Sequence, residues 1–197
     1  MKVKMKLILG VALTFLLSNC NNRKEETTSA EVTPTEEETV KAITHQFKTV
    51  DEPFSDHVKN IIENYLLLKD DLVKADATSA IKSAEVIKKS IGAFDKELIT
   101  ANQRDVYDKN ISAIKIELDD IIKLTDVTQQ REVFAELSEN IYQLAIAFGY
   151  NKTLYYEHCP MALNDKGANW LSIESEIKNP YFGDEMLSCG SVKEEIK

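Results

Sequence analysis

Phe54-Ser-Asp-His-Val58-Lys-Asn-Ile61-Ile62-Glu-Asn-Tyr65-Leu-Leu-Leu68-Lys-Asp-Asp-Leu72 brings an apolar residue back every three or four positions. That is the repeat of one face of an α-helix, and it differs from the two-residue alternation of a half-buried strand. Pro53 precedes the run and Ser55 is the expected N-cap. A first amphipathic helix therefore sets the fold class, and three more follow it.

Asp76 can cap the next segment, where Ala77, Ala80, Ile81, Ala84, Ile87, Ile91, Phe94 and Leu98 keep the helical spacing. Thr100 and Gln103 have capping-box spacing, in which hydroxyl and amide each satisfy an orphan backbone N–H. Tyr107, Ile111, Ile114, Leu118 and Ile121 form the third stripe. Asp126 with Gln129 opens the fourth, Phe134, Leu137, Ile141, Leu144 and Phe148, which Gly149 ends. Connections this short force each helix back along its predecessor. The expected fold is all-α: an antiparallel up-down four-helix bundle over residues 54–150, with a small, mostly irregular Cys/Met-containing segment over 151–197 packed on it. No Glu-x-x-His pair faces inward, which excludes a di-iron core, and His57 reads as a surface or capping histidine.

Upstream, Lys2, Lys4 and Lys6 precede an apolar run from Leu7 to Leu17 that is too short to span a bilayer. Residues 1–19 read as a signal peptide. Leu17-Ser-Asn-Cys20 resembles a bacterial lipobox, in which the cysteine is lipidated and becomes the first mature residue, although Asn19 is larger than its usual counterpart. Cys20 is the expected lipidation site, and acyl chains there would hold the protein on a membrane of the cell envelope, on the periplasmic face or the outer-membrane surface. From Asn21 to Pro53, Thr, Glu, Ser, Lys and Pro dominate, so residues 20–53 read as a lipidated cysteine and disordered tether, with His45 a linker residue.

The chain has 197 residues and a net charge of −9, which becomes −12 once residues 1–19 and their three lysines are removed. A phosphate backbone wants a basic stripe and none is present, so nucleic acid is not an expected partner. Six glycines and four prolines are too few for a turn-rich all-β fold.

Chemistry concentrates in the last quarter. Apart from Cys20, Cys159 and Cys189 are the only cysteines, with His158, Met161 and Met186 beside them. Two thiols and two thioethers favour a soft monovalent ion such as Cu(I) or Ag(I) over Zn(II), which rarely takes methionine. In an oxidising compartment the same two cysteines can instead form a disulfide, closing a loop whose restriction stabilises the fold by roughly 3–4 kcal/mol. Two free buried thiols are the third possibility, and the residues leave all three open. Cys159 next to His158 suggests a nucleophile and base, but adjacent side chains diverge and no third group orients the imidazole. No phosphate loop or dinucleotide fingerprint is present, so the chain is not expected to be an enzyme.

His158-Cys-Pro-Met161-Ala, Gly167-Ala-Asn-Trp170-Leu-Ser, Asn179-Pro-Tyr-Phe-Gly183 and Met186-Leu-Ser-Cys189-Gly190 resemble the signature of an uncharacterised Bacteroidetes envelope domain family. Arg131-Glu-Val-Phe134-Ala-Glu-Leu-Ser138 resembles its helical part, and the likeness runs from about Phe54 to Gly190. It implies a context, because similar domains occur fused to, or encoded beside, CusB-like periplasmic adaptors of copper and silver efflux pumps. Cys159-Pro-Met161 is also similar to the Tyr-x-Cys-Pro-Met-His-Pro segment of heavy-metal-binding domains, with Ala162 in place of one histidine. The expected function is binding of Cu(I) or Ag(I) for sequestration or delivery to an efflux-pump adaptor. The competing expectation is a disulfide-stapled interaction module that docks through Tyr155, Tyr156, Trp170, Tyr181 and Phe182.

Overall fold

A computed structural model describes residues 39–92, 94 and 99–197. The expected signal peptide, the expected lipidation site Cys20, most of the expected tether and Leu98 lie outside the described residues. Four long helices run in sequence: α1 (Glu52–Val73), α2 (Ala77–Gly92), α3 (Ala101–Lys123) and α4 (Val127–Phe148). Each packs on the next, and α1 closes on α4. Phe54 at the start of α1 meets Phe148 at the end of α4, while the Arg131 guanidinium near the start of α4 donates to the Leu72 carbonyl at 2.9 Å. Those two contacts make α1 and α4 antiparallel. Among the described residues, no helix is long and apolar enough to cross a membrane.

The local signals explain the helix ends. Thr100 and Gln103 form the expected capping box, with the Gln103 amide donating to Thr100 Oγ1 at 3.4 Å and the Thr100 amide to Gln103 Oε1 at 3.1 Å. Asp126 accepts from the Gln129 amide and Asp76 from the Ser79 amide, both at 3.0 Å. The start of α1 departs from expectation: Asp51 is its N-cap and Ser55 already lies within the first turn, donating its amide to Asp51 O. Pro53 causes the difference, because a ring that fixes φ and lacks an N–H fits a first helical turn and moves the cap ahead of it.

The inward stripes match the reading: Val58, Ile61, Ile62, Tyr65, Leu68 and Leu72 are buried against Ile87, Ile114, Leu118, Phe134, Leu137 and Ile141. His57 is a correction. It is buried, stacks on Phe94 and pairs with Tyr107 Oη at 2.6 Å, so it is a core residue, and burial lowers its pKa to about 4.

The larger correction is that the fold is not purely helical. A four-stranded mixed sheet, ordered β1-β4-β2-β3, forms from β1 (Lys41–Ile43), β2 (Leu154–Cys159), β3 (Ala168–Ser172) and β4 (Ser191–Ile196). β2 pairs antiparallel with β3, Tyr155 opposite Ser172 through Cys159 opposite Ala168. It also pairs antiparallel with β4, with a register shift between Tyr156 and Glu157, and β1 lies parallel to β4. The segment expected to be mostly irregular thus carries three strands. Part of the expected tether belongs to the fold as well: β1 pairs, Phe47 stacks on Phe148, and the Phe47 amide donates to Ala147 O at 2.9 Å. His45 is no linker residue, since its ring packs where a Cβ on Gly149 would sit.

Tyrosines and acids fasten the sheet to α4. Tyr156 Oη donates to both Glu139 oxygens at 2.8 and 2.9 Å, Asn169 Nδ2 to Glu139 Oε1 at 2.8 Å, and Tyr142 Oη to Glu194 at 2.6 Å. Tyr65, buried in α1, accepts from the Leu171 amide at 3.1 Å and bonds Ser138 at 2.7 Å. β2 and β3, which carry the chemistry, are therefore held rigidly.

Candidate thiol and thioether site

Cys159 ends β2, fully buried, with Ala168 opposite. Cys189 is half-buried at the end of the turn that leads into β4. The two Sγ atoms lie 2.7 Å apart, with no disulfide closed between them. Their hydrogen bond, and then burial, push the Cys189 thiol up to about 11. Two sulfurs bound tetrahedrally to one ion at about 2.3 Å each sit roughly 3.7 Å apart, so a metal here would have to part them by about 1 Å. A disulfide would draw them closer by less than that.

The methionines lie on the Cys189 side. Cys189 donates its amide to Met186 O at 3.0 Å, and the Met161 amide faces the Cys189 thiol. Met161 and Met186 line one cavity of about 290 Å³ together with Leu163, Phe182, Tyr181 and Arg131. Met161 is 46% exposed, so this thioether is accessible from solvent. Four of the five expected donors therefore belong to one neighbourhood.

His158 does not join them. Neighbouring residues of a strand point to opposite faces, so its ring lies across the sheet from the Cys159 thiol. There Nδ1 meets Asn169 Oδ1 at 2.7 Å, and the ring packs so closely that a Cβ on Gly167 would come within 2.8 Å of Cε1. Asn169 in turn donates to Glu139, which leaves its amide oxygen for the histidine and so assigns the proton to Nδ1. Among the described residues no three His, Cys, Asp or Glu side chains gather as a metal site.

Between the strands, Leu163, Asn164 and Asp165 take left-handed backbone conformations in succession, with φ of 54°, 59° and 62°. Outside glycine this conformation costs roughly 1–2 kcal/mol per residue, least for Asn. The strained turn forms one wall of the cavity beside Met161. Asp165 is exposed, so Asp165→Gly is expected to raise stability by about 0.5–1 kcal/mol, relief of strain outweighing the freedom added to the unfolded chain. Urea unfolding of the two proteins checks this; a variant less stable than the parent contradicts it.

The residues that position Cys189 were not legible as site residues. Asn179 is fully buried; its Nδ2 donates to Cys189 O at 2.8 Å and its Oδ1 accepts from the Tyr181 amide at 2.8 Å. Its backbone bonds Leu187 and Gly183. Gly183 has φ 58° and lies so near the end of α1 that a Cβ would reach within 2.7 Å of Val73 O. Gly190, φ 144°, would place a Cβ 2.9 Å from both His158 O and the Trp170 ring. Trp170 and Tyr181 are buried, which removes them from the aromatic docking surface expected from the sequence; they pack edge to face in the core.

Glu157, two residues before Cys159, is fully buried, and among the described residues its carboxylate has no well-formed hydrogen bond, only the Trp170 indole turned toward it. Burial raises its pKa to about 8, against the pull of Lys69 and of the indole of Trp170, its cross-strand neighbour.

Residues 61–153 match a protein family described as "Protein of unknown function (DUF3347)". The match runs from within α1 through α4 and ends just before β2, so Cys159, Cys189, Met161 and Met186 lie beyond it. No curated protein and no solved structure matches the chain.

Proposed function

We propose that this chain is a lipid-anchored protein of a bacterial envelope that binds a soft monovalent cation, Cu(I) or Ag(I), at Cys159 and Cys189 with thioether donation from Met161 and Met186. Its role is to sequester the ion or pass it to an efflux-pump adaptor. The observation that carries the reading is that the two thiols meet at 2.7 Å and that Cys189 sits against the backbone of both Met161 and Met186, two residues that line one cavity. With no third His, Cys, Asp or Glu gathered there among the described residues, a cation at this site depends on thioether sulfur, and that selects soft ions. His158 is left out of the ligand set because its ring is bound by Asn169 across the sheet. The same separation keeps imidazole and thiol from acting as base and nucleophile, so no catalytic role is assigned.

Anaerobic titration with Cu(I) against a colorimetric chelator tests this. The reduced protein is expected to take the ion from the chelator, and Cys159→Ser with Cys189→Ser to abolish that competition. Equal competition by both proteins ends the reading.

A second reading has its own support. The 2.7 Å sulfur separation is nearer to a disulfide than to two sulfurs on one metal ion, and a closed bond would make the chain a stapled, metal-free interaction module. Half-buried Tyr155, Tyr156 and Phe182 are then what is left of an aromatic docking surface.

A further inference from the structure

We propose that the two thiols divide their labour: Cys189 is the sulfur that exchanges with a small disulfide from outside, and Cys159 is the resolving thiol that closes the internal bond. This rests on the paired-thiol site described above and needs no metal. Cys159 is 0% exposed, enclosed in β2 with Ala168 opposite, while Cys189 sits half-buried on a turn whose Met186 lines an open cavity. Attack on a disulfide requires the three sulfurs to line up, so access decides which thiol reacts first. The raised pKa of the Cys189 thiol keeps its thiolate fraction small and the exchange slow at neutral pH. Cys159 cannot meet an outside molecule, but at 2.7 Å it already touches the Cys189 sulfur, the atom it must attack once a mixed disulfide has formed there. Asn179, holding the Cys189 carbonyl, keeps that sulfur in place after the first step.

The chemistry balances in two exchanges. The Cys189 sulfur, giving up its proton, attacks one sulfur of the small disulfide; that S–S bond breaks, and the departing thiolate takes the proton. The Cys159 sulfur then attacks Sγ of Cys189, the mixed disulfide breaks, and the second thiolate leaves with the Cys159 proton. Two protein thiols are oxidised to one disulfide and one small disulfide is reduced to two thiols. Closure removes both thiolates from any cation they hold, so the same pair supplies a release step, and the reverse exchange with a small thiol reopens the site.

The test uses glutathione disulfide as the probe and the full chain carrying Cys20→Ala, so that only the two cysteines report, with products located by intact mass and peptide mapping. The parent is expected to form the internal disulfide without a lasting adduct. Cys159→Ser is expected to trap a glutathione adduct on Cys189. Cys189→Ser is expected to modify Cys159 at least tenfold more slowly, a difference that disappears when both variants are unfolded in urea. Equal rates in the folded variants, or an adduct that persists on the parent, overturn the proposal. Because no metal is added, a failed Cu(I) titration and a failed exchange assay are separate outcomes.

Discussion

Asn179→Ala is expected to destabilise the domain by about 3 kcal/mol and to expose Cys189 to alkylation at denaturant concentrations where the helices are still folded. The substitution strips the buried Tyr181 amide and the part-buried Cys189 carbonyl of their partner, and each group orphaned away from water costs roughly 1–3 kcal/mol. Cavity formation adds to this. The damage is local first, because the Asn179 contacts knit the turn from Tyr181 to Cys189, whereas the helices are held by their own stripes. Urea unfolding followed both by far-UV circular dichroism and by thiol labelling separates the two. If labelling and helix loss coincide with those of the parent, Asn179 does not have this role.

The second large effect is on pH. Glu157 titrates near 8 in the fold and near 4.5 when unfolded, so between those values the folded state binds the extra proton and stability falls as pH rises. His57 acts with the opposite sign: held neutral in the core to about pH 4, it favours the fold increasingly up to 6.5, where its contribution is complete. Glu117, raised to about 7 by burial, adds to the downward slope below that pH. The window from pH 6.5 to 8 therefore belongs mainly to Glu157, at about 1.4 kcal/mol per unit or roughly 2 kcal/mol in all. Glu157→Gln is expected to flatten the urea-unfolding profile over that window. Parallel profiles for the two proteins would show that the Glu157 carboxyl does not titrate with folding.

The helices were legible because each carries its own instructions. The Thr100 and Gln103 pair, the Asp126 cap, the Gly149 stop and the inward stripes act over a few residues, and a local pattern records them. The sheet is written differently. β1 and β4 pair Lys41 with Glu194 and Ile43 with Ile196, so no local window contains both partners, and β4 reads Ser-Val-Lys-Glu-Glu-Ile, a polar strand without clean alternation. At the site, the sulfur pair followed from composition, since few soft donors exist to meet. His158 was misplaced because adjacency in sequence means opposite faces in a strand, which matters only once β2 is known to be one. Asn179 and Gly190 stood in plain view as motif residues, but their purpose depends on what surrounds the backbone, and Glu157 shows no local mark of its burial.

Parallel pairing of β1 with β4 has a mechanical result. The Lys197 amide also donates to Ile43 O at 3.0 Å, so the first strand of the fold and the end of the chain share one corner. A pull on the chain ahead of β1 runs along that strand and shears several hydrogen bonds together, with the Lys41–Glu194 ion pair beside them, before any force reaches α1. Any such pull would load β1 as a pull on a cable loads the clamp where it enters a housing, ahead of the helices behind it.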